Sequence, residues 1–468
     1  MTVDSAIEKA GFGVSQLINI GASSFIFFLE LLSLVSDGIL LPIIKCQWNL
    51  SSIQSTGYLL STRIAFGLGG VIGGKFGDKI GRRLSIMIGI VFQITTVTIA
   101  LNSYSLGWYI FFHALNKVSF GIVMPSAHSY AVESCPANKR YLVKIIFGYA
   151  GCLGTAFGAY IGQFYEVYSW RFVQLLLTFP CYLVFIAFYL LDSSPRFLMI
   201  QGKMHQAEAA VTNMFERNGV VLNENICLVN TAQISEKPGT YADLLRPNLA
   251  SHSYKLMFLM LMKGIFVTTV HISMPYIMNM GVETETIINF PKNCYSGSSE
   301  FYSKIMMAFL PDLFIHPAVL FYAQKHGRCK AIHRAFFVSC ASFIASYLIK
   351  NNFSSLFPIT IGMSLSTVAA ARSVIVLYTT ELYPTTIRGV ASGMIWTTDT
   401  IGSFAAPFLV EYFVINDPLF FLLLSGLAMG AAGFVSLKLE SETLNKPLAQ
   451  SLIDLDRNDI GLTEYNSV

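Results

Sequence analysis

Apolar residues dominate this chain in long unbroken runs, with neither strict alternation nor a single helical stripe. A helix needs about 20 mostly apolar residues to cross a bilayer. Runs of that kind fall at 17–44, 53–76, 84–104, 107–132, 141–164 and 171–192. After a polar stretch they resume at 254–280, 301–323, 333–350, 354–381, 390–413 and 417–437. The pattern predicts an all-α membrane protein with twelve spanning helices, here called spans 1 to 12 in chain order. The first six form an N-terminal bundle over 17–192 and the last six a C-terminal bundle over 254–437. Between them runs a linker, 193–253, flanked at the chain ends by tails over 1–16 and 438–468. Within the linker, Met204 to Arg217 carries apolar residues at helical spacing, which predicts an amphipathic surface helix. Pro238, Gly239 and Pro247 then break the chain, and 449–468 reads as a disordered acidic tail.

Composition supports lipid as the solvent. Of 468 residues 54% are hydrophobic and 12% charged, whereas a soluble domain carries roughly 25% charged residues to wet its surface. The formal net charge of +4 is small and points to no nucleic acid. The position of the basic residues is more informative. Lys75, Lys79, Arg82, Arg83, Lys139, Arg140, Lys325, Arg328, Lys330 and Arg334 all fall in alternate loops. The other set of loops holds Lys45, Arg171, Lys292, Lys304 and Lys350. Positively charged loops stay on the cytoplasmic side, so both termini are expected there. No nucleophile–base spacing, phosphate loop or metal-ligand cluster points to an enzyme, a cofactor or a metal. The eight cysteines are scattered; Cys46 and Cys294 share the outer side, where a disulfide is open. Asn49 and Asn352 head glycosylation sequons on that same side.

The chain also repeats itself. Glu133-x-x-Pro136-x-x-x-Arg140 follows span 4, and Glu381-x-x-Pro384-x-x-x-Arg388 follows span 10, displaced by 248 residues. Gly81-Arg82-Arg83 follows span 2, and Gly327-Arg328-Cys329-Lys330 follows span 8 at nearly the same offset. Two matches at nearly one displacement, at equivalent helix ends, indicate two halves related by duplication.

These loops carry a family resemblance. Gly74-Lys75-Phe76-Gly77-Asp78-Lys79-Ile80-Gly81-Arg82-Arg83 resembles the loop signature of the major facilitator superfamily. The Glu-x-x-Pro-x-x-x-Arg loops, Ser194-Pro195-Arg196-Phe197-Leu198 and Glu442-Thr443-Leu444-Asn445-Lys446-Pro447-Leu448 resemble signatures of its sugar-porter and organic-ion branch. The segment Ala6 to Gly13 and the short loop Lys45-Cys46-Gln47-Trp48 resemble the synaptic-vesicle-protein-related group, near the organic cation transporters. Two departures stand out. Gln324 replaces the acid of the second-half loop, and span 4 lacks an arginine common in relatives, with His113 and Lys117 nearby.

The resemblance implies a gating role for Gly74, Asp78, Gly81, Arg82, Arg83, Glu133, Arg140, Gly327, Arg328, Glu381 and Arg388. Gly74 and Gly77 would allow span 2 to approach a neighbour across the halves. Arg82 and Arg140 would pair with Asp78 and Glu133 and bias an alternating-access equilibrium.

Ionisable residues at membrane depth are costly when unpaired, so each is a functional candidate. The acids are Glu30, Asp37, Asp312 and Asp399; the bases are Arg63, Lys117, Lys144, Lys263 and Arg372. His113, His128, His271 and His316 add titratable groups that read first as satisfied core residues. Spans 1, 4, 7 and 10 line the cavity in this superfamily, which by resemblance places Glu30, His113, Lys117, Lys263, His271 and Arg372 there. Asp399 precedes Gly402 and Pro407-Phe408 much as a substrate-contacting acid does in organic cation transporters, but lies one residue early. A structural ion pair between Asp399 and Arg372 on the adjacent span is the plainer reading.

The expected function is transport of a small organic ion, secondary active or facilitative, across a plasma or intracellular vesicle membrane. A proton is an open second partner through Glu30. The alternative is a fold member that no longer transports and serves a vesicle as receptor or regulator. The sign of the substrate charge is not legible, because the candidates include both acids and bases.

Overall fold

A computed structural model describes residues 2–136, 139–166, 168–220, 228, 240–278, 299–349, 355–383, 387–439 and 441–444. Cys294, Asn352, the Arg388 side chain and the tail 449–468 lie outside the described residues. Among the described residues there is no strand, and nine helices are long and apolar enough to cross a membrane. They are spans 1 (Val14–Gln47), 3 (Arg82–Leu101), 5 (Arg140–Tyr165), 6 (Trp170–Leu190), 7 (Leu249–Met278), 8 (Phe301–His326), 9 (Arg328–Ile349), 10 (Phe357–Leu382) and 12 (Pro418–Leu437). Spans 2 (Ser52–Ile80), 4 (Leu106–Glu133) and 11 (Arg388–Ser403) are helical as well. Polar groups dilute their apolar runs: Arg63 in span 2, His113, Asn116 and Lys117 in span 4, and Asp399 in span 11.

Local chemistry sets the ends. Ser51 and Gln54 form a reciprocal capping box at the start of span 2. Ser105 and Ser169 accept from the backbone N–H three residues on, and Asp417 does the same ahead of Pro418. The repeat glycines Gly81 and Gly327 make the turns into spans 3 and 9 at φ 100° and 107°, a region that favours glycine. Span 8 is interrupted between Phe309 and Asp312, and span 11 continues through Ala406–Leu409 into a π turn, Val410–Val414.

Two compact units emerge. The first comprises Met1–Gln233, His271–Leu310 and Pro407–Asn416; the second comprises Ile234–Val270, Pro311–Ala406 and Asp417–Val468. The first unit thus includes one end of spans 7, 8 and 11 beside spans 1 to 6. Close contacts explain this. A Cβ at Gly38 would stand 2.7 Å from the Ile272 carbonyl oxygen, and the Cys152 thiol donates to the Phe309 carbonyl at 3.2 Å.

Spans 2 and 4 pack backbone to backbone. A Cβ at Gly69 would lie 2.2 Å from the Val118 carbonyl oxygen, and one at Gly73 would lie 2.5 Å from Ile122. Gly77 continues the row, facing the Ser126 hydroxyl at 2.8 Å. The close approach is therefore made by Gly69, Gly73 and Gly77 to span 4, a small-residue stripe at four-residue spacing. Gly74 is not part of this row, and a Cβ there would meet nothing within 4 Å.

Met204–Arg217 is the amphipathic helix that its periodicity predicts, with Ala207, Ala210, Val211, Met214 and Phe215 buried. Its partner is a helix the sequence did not reveal, Val3–Ala10, which contributes Ala6, Ile7 and Ala10 to the same small core. Asn218 ties the two segments by donating to the Ala10 carbonyl at 3.0 Å and accepting from the Ser15 N–H at 3.0 Å.

Candidate functional site

At the ends of the spans that carry the motif loops, the sequence repeat becomes an atomic repeat. In the first unit Arg82 donates from Nε to Glu133 at 3.0 Å and from Nη1 to the Gly77 carbonyl at 2.8 Å. Glu133 also accepts from the Ser194 hydroxyl at 2.6 Å. In the second unit Arg328 holds both carboxylate oxygens of Glu381, at 3.1 and 2.9 Å, and the Ala323 carbonyl at 2.8 Å. Glu381 accepts in turn from the Thr443 hydroxyl at 2.6 Å. Tyr130 and Tyr378 complete the parallel by donating to the carbonyls of Asp192 and Ser441. Arginine, acid and hydroxyl thus bind together the ends of three spans in each unit, with charge-assisted bonds stronger than neutral ones.

Other expected motif contacts fall differently. Asp78 pairs with Arg82 at 2.9 Å, so Arg82 alone takes both acids. Arg140 makes no ion pair among the described residues, which corrects the expected Arg140–Glu133 contact. Arg83 ties the start of span 3 to the end of span 6, donating to the Phe188 and Tyr189 carbonyls at 2.8 and 2.6 Å.

A second set of charges lies at membrane depth. In the first unit Asp37 of span 1 is a hub that the sequence reading did not place in the site. Lys117 of span 4 lies 2.6 Å from it, His113 3.2 Å and Arg63 of span 2 3.7 Å. The Lys117 ammonium also donates to the Ser33 hydroxyl at 2.6 Å. His113 packs beside the rings of Tyr58 and Tyr109, which also stack on each other. Glu30, half-buried on the same span, adds its charge to the field at Lys117. Glu30, Ser33 and Asp37 are spaced three and four residues apart and so share one helix face, a signal that could have found Asp37.

In the second unit Asp399 of span 11 pairs with Lys263 of span 7 at 2.9 Å and with Arg372 of span 10 at 3.6 Å. Asp399 thus stands between two bases, with Lys263 the closer. Arg372 lies over the Trp396 ring, 4.3 Å from its centroid. Span 7 can reach Asp399 because Gly264 and Gly402 face each other's backbones; a Cβ at Gly264 would stand 2.3 Å from the Asp399 carbonyl oxygen. His271, in the first unit, stacks on Phe309. Asp312, His316 and Ser373 form a smaller chain in the second unit, at 3.7 and 3.2 Å.

A third cluster, also missed in the sequence, closes the end of the first unit opposite the motif loops. Glu411, presented by the π turn of span 11 with its side chain 3% exposed, pairs with Lys45 at 2.5 Å and accepts from Ser55 at 2.9 Å. Cys46, beside Lys45, is disulfide-bonded. Its sequence-suggested partner, Cys294, lies outside the described residues.

The description Major Facilitator Superfamily belongs to a family model that matches residues 26–407. This chain belongs to that superfamily. Among curated proteins it is 24% identical over 434 residues to the putative transporter svop-1 of Caenorhabditis elegans, covering 88% of this chain and 79% of that one. It is 26% identical over 432 residues to solute carrier family 22 member 15-like of Xenopus tropicalis, covering 88% and 81%. Among solved structures, that of a D-xylose-proton symporter superposes with a TM-score of 0.67 at 14% identity, covering 92% of this chain and 99% of that one. As a member of the superfamily the chain is an integral, multi-pass transporter and not an enzyme.

Within this superfamily member, one element of the repeat differs between the units. Glu442 reaches back to the start of span 9 and accepts from the N–H groups of Arg328 and Cys329 at 2.8 and 3.1 Å. A carboxylate there satisfies orphan donors and meets the positive end of the helix dipole. Span 3 has no such side-chain cap. Glu442→Ala is expected to lower stability by about 1–2 kcal/mol, the scale of a lost cap. Thermal unfolding of the purified protein in detergent checks this, and an unchanged midpoint would speak against the cap.

Proposed function

We propose that this chain carries a small organic ion across a lipid bilayer by alternating access, with both termini on the cytoplasmic side. The observation that carries the reading is the pair of charge clusters at membrane depth, Asp37–Lys117–Arg63–His113 and Asp399–Lys263–Arg372. Such groups are expensive to keep in lipid and mark substrate or ion pathways. The proposed substrate-contacting residues are Glu30, His113, Lys117 and His271 in the first unit, with Asp37 and Arg63 added, and Lys263, Arg372 and Asp399 in the second. The motif residues Gly74, Asp78, Gly81, Arg82, Arg83, Glu133, Arg140, Gly327, Arg328, Glu381 and Arg388 are assigned to the conformational change. The resemblance of Ala6 to Gly13 and of Lys45 to Trp48 to the synaptic-vesicle-protein-related group supports a vesicle membrane. The basic motif loops support the orientation.

Uptake into proteoliposomes of a panel of labelled organic cations, anions and zwitterions tests this reading. At least one probe is expected to enter saturably, above protein-free liposomes. The triple variant Glu30→Gln, Lys263→Ala, Arg372→Ala should remove that uptake. Full uptake by the triple variant would sink the proposed site.

A further inference from the structure

The two membrane-depth clusters share a charge arrangement that bears on the substrate, given that the chain transports one. In each unit an aspartate is held at hydrogen-bonding distance by a lysine, at 2.6 Å for Asp37–Lys117 and 2.9 Å for Lys263–Asp399. In each, an arginine stands farther off, at 3.7 Å for Arg63 and 3.6 Å for Arg372. These distances exceed a hydrogen bond. Among the described residues neither guanidinium makes one, and the Arg63 Nε is buried without an acceptor.

A guanidinium presents five N–H donors in a planar fork that matches a carboxylate at two points. Leaving that fork unfilled in a low-dielectric setting is costly. The aspartates do not fill it, since each is already neutralised by its lysine. Among the described residues the second cluster sets two basic side chains, Lys263 and Arg372, against the carboxylate of Asp399. A cationic substrate would have to displace Lys263 from Asp399 and meet Arg372 at close range. An anionic group would instead complete the arrangement. Arg372 is the better placed donor: its side chain is 29% exposed against 11% for Arg63. The Trp396 ring fixes one face of its guanidinium and leaves the edge donors for a ligand.

We infer that the transported ion carries a carboxylate or an isosteric anionic group, as an organic anion or a zwitterion, and that Arg372 is its bidentate donor. A quaternary or primary ammonium without an acid group is a poor substrate. This rests on the transport reading above and narrows it to one chemical class.

Matched probes decide the matter: labelled 3-phenylpropionate, phenylalanine and 3-phenylpropylamine, alongside the wider panel, with the full chain in proteoliposomes. Uptake is expected for probes bearing a carboxylate and not for the amine of the same skeleton. Arg372→Ala should cut carboxylate uptake tenfold or more. Arg372→Lys, which keeps the charge and loses the fork, should fall between. Thermal unfolding of both variants shows whether they fold, and the lysine variant carries the test if the alanine variant does not. Uptake confined to cations overturns this inference and leaves the transport reading standing. Carboxylate uptake equal in wild type and both Arg372 variants overturns the role of Arg372. No uptake of any probe overturns the transport reading and this inference with it.

Discussion

Asp37→Ala should be among the most destabilising single substitutions in the membrane-spanning region, with a loss of about 3–5 kcal/mol. Asp37 is the one acid that meets Lys117, His113 and Arg63 together. Removing it leaves a lysine and an arginine facing one another in a nearly dry environment. Breaking a buried pair on one side costs far more than the pair contributes, because the remaining charge has no solvent to return to. The same logic predicts rescue. Lys117→Met in the Asp37→Ala background should recover much of the lost stability, since the methionine fills similar volume without a charge. Thermal unfolding in detergent for the two single variants and the double variant completes a mutant cycle. A single Asp37→Ala variant as stable as wild type would mean that the cluster is solvated and contributes little.

Gly73→Leu is expected to prevent stable packing of spans 2 and 4. The nearest atoms to an added Cβ at Gly73 are the backbone of Ile122, at 2.5 Å, and at Gly69 the backbone of Val118, at 2.2 Å. Overpacking among side chains costs roughly 1–3 kcal/mol because neighbours can rotate away. A backbone carbonyl inside a helix cannot, so the spans must separate, and the cost exceeds that range. Gly74→Leu is the internal control. Its Cβ meets nothing within 4 Å, so the fold should tolerate it. Yield of monodisperse protein on size exclusion distinguishes the two. Equal yields would show that the close approach is not needed. A folded Gly74→Leu protein that has lost uptake would support the gating role proposed for that residue.

Much of the architecture was legible in the sequence, for physical reasons. Lipid forces every backbone polar group to be satisfied within a helix, so long apolar runs leave little choice of structure. The span boundaries follow from that, as does the Met204–Arg217 helix from its periodicity. The nearly equal offsets of Glu133/Glu381 and Arg82/Arg328 announced a duplication, and each arginine meets the acid of its own half. Other features were not legible. Val3–Ala10 is only eight residues long, too short for periodicity to separate from chance. The break in span 8 falls at Pro311, a mark that the length of the apolar run alone does not weigh, while the π turn of span 11 leaves none. Charge pairing depends on which helix faces are brought together, and composition is silent on that. Asp37 and Glu411 were therefore missed as partners of Lys117 and Lys45. The expected Arg140–Glu133 pair failed because Arg82 already occupies that carboxylate.

The site divides in the same way. That charged residues within the spans matter could be read from their cost in lipid; which of them form a set could not. Seven residues had been proposed for the substrate. The geometry gathers His113 and Lys117 around Asp37, joins Lys263 and Arg372 to Asp399, and stacks His271 on Phe309.

Transport itself is tested most directly by counterflow. Proteoliposomes holding the full chain are preloaded with each unlabelled member of the cation, anion and zwitterion panel, then diluted into a trace of the same labelled compound. For at least one carboxylate-bearing member, labelled compound should accumulate transiently above its equilibrium level and then decline, as exchange through an alternating site requires. Protein-free liposomes should show no such overshoot. An absence of overshoot for every member, with protein shown to be folded and inserted, would contradict the account.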